Sequence, residues 1–359
     1  MIKYIGSKRL LLPRILDAVR AAAPPGATVA DLFSGTARVG HALKAAGYRV
    51  LANDHNAYAH TLATCYVQAD AERLAEAARR VLDDLSRLPG RHGWFTETYC
   101  VRSRYFHPSN GARIEAMRGA IASLSPEPEL EAVLLSALLE AADRVDSTAG
   151  LQMAYMKAWA PRALKPIALR LPKLLPRPAA GACAALCGDA EAVAATLECD
   201  LAYLDPPYNQ HSYLRNYHVW ETLVRWDQPE VYGVACKRAD CRTRLSAFNS
   251  RPGIGPALER TIAALNHCPT LVVSFNDEGY LPRAALERML GARAHLRVME
   301  IPYGRYVGAK IGIHNPRGER VGTVGRLTNV EHLFVASDRR LDLPSEVPPA
   351  RAAAAVVAA

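Results

Sequence analysis

The chain has no long apolar run. Half of its 359 residues are hydrophobic, yet no uncharged apolar stretch reaches the about 18 residues that a membrane-spanning helix needs, so none is expected. The opening residues Met1-Ile2-Lys3-Tyr4 lack the apolar centre of a secretory leader, which points to the cytoplasm. Two phosphate-binding signatures are missing as well. There is no G-x-x-x-x-G-K-[ST] run, which argues against a P-loop, and no complete G-x-G-x-x-G, which counts against a nicotinamide dehydrogenase. The eight cysteines (65, 100, 183, 187, 199, 236, 241 and 268) are scattered. Neither Cys183-x3-Cys187 nor Cys236-x4-Cys241 is joined by a second pair at zinc-ribbon spacing, so reduced structural thiols and no metal are expected. Finally, acid is absent between Asp146 and Asp189, while Lys157, Arg162, Lys165, Arg170, Lys173 and Arg177 supply six cations there.

The apolar content suits a globular protein, and the length suits one large α/β domain with an insertion or two modest domains. A net charge of +9 and a pI near 9.2 favour a polyanionic partner, and the one-signed stretch is where phosphates would gather. Strand-like runs occur at Val29 to Phe33, Arg49 to Asp54, Leu201 to Asp205 and Thr270 to Phe275. Between the first two lies a helical pattern, Thr36 to Ala46, stopped by Gly47. This alternation implies an α/β fold with a mostly parallel, doubly wound sheet. Residues 75–178 break it. They read first as helices (Ala71 to Leu88, Glu129 to Arg144) and then as a Pro- and base-rich strip, hence as an insertion into a catalytic domain made of 1–74 and 179–340. Later helices are expected at Pro256 to Leu265 and Pro282 to Leu290, a last strand at His332 to Ala336, and a frayed tail over 341–359.

Several short motifs stand at the carboxyl ends of those strands. In Asp31-Leu32-Phe33-Ser34-Gly35-Thr36 a strand turns into a helix, and Gly35 lets the backbone approach a ligand facing the helix N-terminus. Asp54 closes the second strand, where an acidic side chain accepts from ribose hydroxyls. Gly188-Asp189 precedes the Asp205 strand by one helix length, so Asp189 reaches the same sheet edge and offers an acceptor to an adenine amino group. Upstream, Lys3-Tyr4-Ile5-Gly6-Ser7-Lys8-Arg9 packs three cations around an aromatic ring. Ser7 is placed to cap the following helix and Lys8 to hold a carboxylate.

The most specific signal is Asp205-Pro206-Pro207-Tyr208. An aromatic amine delocalises its lone pair into the ring and is a poor nucleophile until acceptors hold its N–H bonds in pyramidal geometry. The Asp205 carboxylate and the Pro206 carbonyl are such acceptors, the Pro206-Pro207 pair fixes where the carbonyl points, and Tyr208 can stack on the base. A base inside a duplex cannot reach such a clamp, so it must be extruded.

In this order of motifs the chain resembles the Dam-type DNA adenine-N6 methyltransferases: Lys3-Tyr4-Ile5-Gly6-Ser7-Lys8, Asp31-x-Phe33-x-Gly35, Asn53-Asp54, Gly188-Asp189, then Asp205-Pro206-Pro207-Tyr208. The resemblance covers most of 1–70 and 183–336. It implies a Rossmann-like methyltransferase fold, S-adenosylmethionine as cofactor and N6 of a flipped adenine in double-stranded DNA as target. It implies that Tyr4, Lys8, Asp31, Phe33, Gly35, Asp54, Asp189 and Asp205 face the cofactor and that Asp205 to Tyr208 hold the adenine. It also makes 75–178 a target-recognition insertion and 303–326 a basic hairpin, with Lys157, Arg162, Lys165, Arg305, Lys310 and Arg326 as phosphate contacts. A cognate restriction nuclease is left open as a partner, as is the oligomeric state. The stretch from Asn209 to His218 reads as a lid or DNA-contacting loop. Two alternatives remain at this stage: an N-methyltransferase acting on RNA or a protein amide, and a non-catalytic DNA-binding module that retains the fold.

Overall fold

A computed structural model describes residues 1–304 and 328–342. Nine strands are described: β1 Thr28–Asp31, β2 Arg49–Asn53, β3 Ala184–Leu186, β4 Leu201–Leu204, β5 Val231–Tyr232, β6 Lys237–Arg238, β7 Thr270–Asn276, β8 His295–Gly304 and β9 Thr328–Ser337. Seven of them form one sheet in the order β3-β2-β1-β4-β7-β9-β8, while β5 and β6 make a separate two-stranded ladder. β3, β2, β1, β4 and β7 run parallel, and β9 is antiparallel to both β7 and β8. This is the doubly wound, mostly parallel sheet of a Rossmann-like methyltransferase fold.

Side chains alternate across the pleat, and both faces are buried. Val29, Leu201, Tyr203 and Val272 enter one core with Ile15, Val19 and Leu43. Ala30, Ala202, Leu204, Leu271 and Val273 enter the other with Ala257, Leu258 and Leu286. The uninterrupted apolar run of β4 and the apolar run Leu271 to Val273 of β7 follow from this two-sided cover. The helices Ala71–Arg87, Pro108–Leu124 and Pro128–Arg144 place Leu74, Leu82, Ile114 and Leu138 in the first core, so these helices share a core with one face of the sheet. Among the described residues, no helix is long and apolar enough to cross a membrane, and no group of three His, Cys, Asp or Glu is placed to hold a metal ion.

Chain order reverses between β1 and β4, which are neighbours in register at Asp31 and Tyr203. In open α/β sheets the crevice beyond the carboxyl ends at such a reversal is where ligands bind.

Candidate active site

That crevice is lined by Tyr4, Lys8, Asp31, Phe33, Gly35, Asp54, Asp189, Asp205 and Pro207, among others, and holds about 800 Å³ of empty space including its open mouth. Each ligand-facing position expected from the sequence therefore reaches one cleft, together with Pro207 of the Asp205-Pro206-Pro207-Tyr208 run. The carboxyl ends of β1, β2, β3 and β4 deliver the four acids.

The floor is fixed by a residue that carried no role in the sequence reading. Asn53 donates from Nδ2 to the Leu32 carbonyl (3.2 Å) and the Gly188 carbonyl (3.2 Å) and accepts the Gly188 N–H at Oδ1 (3.1 Å). It thereby ties the ends of β1, β2 and β3 together. Beside it, Asp54 accepts the Gly35 N–H at Oδ2 (3.1 Å) and the Asn56 N–H at Oδ1 (2.9 Å). Gly35 sits at φ +52°, and a Cβ there would lie 3.1 Å from Cε1 of Tyr4, so the turn needs glycine twice over. Asp189 caps the short helix after β3 by accepting the Glu191 N–H (3.0 Å). Phe33 meets Phe248 edge-on at 5.0 Å.

Tyr4 is held by residues about two hundred positions away. It stacks on Tyr213 (centroids 5.0 Å, 11°) and Tyr217 (4.7 Å, 15°), and Tyr217 accepts the Ile5 N–H at its hydroxyl (2.7 Å). The segment expected to be a lid thus turns its tyrosines inward: Tyr217 and His218 are buried, and Tyr213 walls the cleft. The apolar faces of these rings gain more from mutual burial than from exposure. Ser7 makes no side-chain cap, because the chain enters a 3-10 turn, Lys8–Leu10, rather than an α-helix at that point.

Lys8 does hold a carboxylate, but the protein's own. Its Nζ lies 2.8 Å from Oδ1 of Asp205 and 2.8 Å from Oε1 of Glu331, and it stands 5.9 Å from the Tyr208 ring centroid. Burial works against the ammonium, yet Asp205 and Glu331 outweigh it and keep Lys8 charged beyond its ordinary range. Burial pushes Asp205 up to about 6, with Lys8 opposing and Glu331 adding to the rise. Burial, and then Asp205, pushes Asp31 up to about 8 despite the Gly40 N–H that it accepts. Tyr208 packs at 5.8 Å from Phe275, and its carbonyl accepts the Tyr280 N–H (2.8 Å).

Five buried polar atoms in residues lining the cleft have no hydrogen-bond partner: Oδ1 of Asp31, Oγ of Ser34, Nε of Arg38, Oδ1 of Asn56 and the Tyr203 hydroxyl. Burial and the neighbouring Arg9 lower the Arg38 pKa. An acceptor, a hydroxyl and a guanidinium N–H left without hydrogen-bond partners in one cleft suit a zwitterion.

The basic residues are dispersed. Lys157 and Lys165 are exposed, whereas Arg162 binds Asp146 (2.9 Å), a buried carboxylate that also takes Lys3 (2.7 Å). A count along the chain could not see that pairing, because Lys3 and Asp146 are brought together only by folding. Arg305, Lys310 and Arg326 lie outside the described residues.

A mostly parallel sheet with an acidic cleft at its reversal of chain order, lined also by Asp205 and Pro207, is the arrangement of the α/β methyltransferase class. A family model for the D12 class N6 adenine-specific DNA methyltransferases matches residues 4–250, well over half of the chain. The chain belongs to that family. Over 326 residues it is 30% identical to the Type II methyltransferase M.FokI of Planomicrobium okeanokoites, covering 85% of this chain and 50% of that protein. It is 28% identical over 320 residues to the Type II methyltransferase M.NlaIII of Neisseria lactamica, covering 86% and 93%. It is 26% identical over 322 residues to modification methylase LlaI of Lactococcus lactis subsp. lactis, covering 85% and 51%. The chain thus spans about half the length of the first and third relatives and nearly all of the second.

Proposed function

We propose that the protein uses S-adenosylmethionine to methylate N6 of an adenine turned out of double-stranded DNA, acting in the cytoplasm as the modification member of a restriction–modification system. The observation that supports this reading is the one cleft in which the strand-end acids Asp31, Asp54 and Asp189 meet Asp205 and Pro207 of the Asp205-Pro206-Pro207-Tyr208 clamp.

The residues present fit the cofactor. Four carboxylates against Lys8 and Arg38 suit a cationic ligand. Asp31 Oδ1 offers an acceptor to its amine, and Arg38 Nε and Ser34 Oγ offer donors to its carboxylate. Asp54 has lone pairs left for ribose hydroxyls, Asp189 accepts from the adenine amine, and Phe33 with Phe248 forms the apolar wall. Bound there, the cofactor supplies a methyl group on a sulfonium, an electrophilic carbon whose departure leaves a neutral thioether.

The chain's own groups prepare the nucleophile. Tyr208 stacks on the extruded base and offsets part of the few kcal/mol of unpairing. Asp205 and the Pro206 carbonyl accept the two N–H bonds of N6 and turn its lone pair out of conjugation. That lone pair forms the new N–C bond as the C–S bond breaks with its electrons staying on sulfur. The nitrogen carries the positive charge until one N–H proton departs, and the anionic Asp205 stabilises that charge as it develops. No covalent enzyme intermediate is needed. In this reading residues 75–178 face the DNA and Lys157 and Lys165 touch phosphates, while Arg162 orders the insertion through Asp146.

The test is expression in a host that lacks DNA methylation, followed by sequencing for N6-methyladenine. Modified adenines at one recurring motif are expected. Unmodified adenine, or modification confined to cytosine, refutes the proposal.

A further inference from the structure

Glu331 lies on β9, outside the segment that the family model matches. It is only 1% exposed, and both of its oxygens are engaged. Oε1 accepts from Lys8 (2.8 Å) and from the Ser274 hydroxyl, and Oε2 accepts from Nδ2 of Asn276 (3.4 Å). Ser274 and Asn276 stand on β7, the strand paired with β9, at positions where the neighbouring residues are apolar. Lys8 would already be paired by Asp205 alone, so the sheet carries an additional buried carboxylate whose desolvation is unfavourable.

The additional charge matters because of what the amine becomes. A lone Lys8–Asp205 pair is neutral, and the ammonium would draw on the same carboxylate that must face N6. With Glu331 present, two anions share one cation and the cluster keeps a net negative charge beside the nitrogen that turns positive. We propose that Glu331 is a positioning residue for methyl transfer: by taking a share of the Lys8 ammonium it leaves the negative charge of Asp205 available to the attacking amine. This rests on the adenine-methylating reading above. The groups facing Asp205 are Lys8 from the N-terminal turn, Asp31 from β1, Tyr203 from β4, Glu331 from β9, and Tyr213. Of these, only Glu331 both shares Lys8 and stands at the far end of the chain.

The test compares wild type with Glu331→Gln and Glu331→Asp in steady-state methyl transfer to duplex DNA across pH. Binding of S-adenosylhomocysteine serves as the check on folding. Glu331→Gln is expected to lower kcat by about 10- to 100-fold with KM for DNA held within about twofold, since the lost interaction strengthens only in the transition state. It also moves the acidic limb of the rate profile to lower pH, because Asp205 loses a like charge. Glu331→Asp keeps the charge, so it recovers part of kcat and leaves the limb in place. Wild-type kcat in the Gln variant, or equal losses in both variants with the limb unmoved, overturns the proposal. If the Gln variant fails to bind S-adenosylhomocysteine, Ser274→Ala replaces it. That change loosens Glu331 without altering a charge, a severalfold fall in kcat is expected, and wild-type kcat overturns the proposal. A wild-type protein that leaves adenine unmodified defeats the underlying reading as well, whereas the failures above defeat the role of Glu331 alone.

Discussion

Binding of S-adenosylmethionine is expected to expel a proton from Asp31. In the ligand-free protein burial holds this carboxyl at about 8, so one pH unit lower, at pH 7, it is about nine-tenths protonated. The amine of the ligand, with an ordinary α-amino pKa of about 7.7–8.0, is mostly charged at the same pH. Placing that cation against Oδ1 of Asp31 favours the carboxylate, and about 0.9 proton leaves Asp31 while the amine takes up about 0.1–0.2, a net release of about 0.7–0.8 per ligand bound. Asp205, held at about 6, is only about one-tenth protonated at pH 7 and contributes little. Affinity should therefore rise about tenfold, or about 1.4 kcal/mol, per pH unit from pH 6 to 7, and flatten near pH 8 as the ligand's amine loses its charge.

The linkage to folding has the opposite sense. A carboxyl whose pKa is raised in the folded state holds a proton that the unfolded chain has lost, so the ligand-free protein loses this contribution as pH rises through about 8. Calorimetric titration at pH 7 in phosphate and in Tris gives the proton count from the difference in heats. A net release of about 0.7–0.8 proton in wild type and none in Asp31→Asn is expected. Zero release or net uptake by the wild type refutes the assignment of Asp31 to the cationic end of the ligand.

Three further substitutions probe the cleft. Gly35→Ala puts a Cβ at a left-handed φ and 3.1 Å from a Tyr4 ring packed against Tyr213 and Tyr217, so a loss of about 1–3 kcal/mol in chemical denaturation is expected with weaker S-adenosylhomocysteine binding; wild-type values for both contradict it. Arg38→Gln should cost about tenfold in affinity for S-adenosylhomocysteine but nothing for 5′-methylthioadenosine, which lacks the amino-acid end. Equal losses for the two ligands would remove Arg38 from the carboxylate site. Asn53→Ala leaves the Gly188 N–H and two carbonyls without their partner and should lower stability by about 1–3 kcal/mol in the same denaturation assay.

The strand ends and the clamp were legible because each depends on local chemistry: an acid closing a buried apolar run, a glycine where the backbone turns, two prolines after a carboxylate. The parallel sheet followed from the spacing of those runs. β8 was missed, since its sequence mixes Arg297, Glu300 and Pro302 as an edge strand does. Tyr213 and Tyr217 were read as part of a lid or DNA-contacting loop because nothing near them in sequence shows Tyr4 waiting to stack. Lys8 was given to the ligand because its true partners, Asp205 and Glu331, are remote. A signal for Glu331 did exist: an acid just before the apolar run of β9, opposite Asn276 and diagonal to Ser274 in the buried β7. Such polar interruptions in fully covered strands mark charges held for chemistry.

The most direct measurement follows labelled methyl from S-adenosylmethionine into duplex DNA, RNA and protein, with wild type and Asp205→Ala compared after both are shown to bind S-adenosylhomocysteine. Label is expected in duplex DNA alone, recovered as N6-methyldeoxyadenosine and absent with the alanine variant. Label in RNA or protein only, or undiminished transfer without the Asp205 carboxylate, contradicts a clamp and a cofactor pocket that share one cleft.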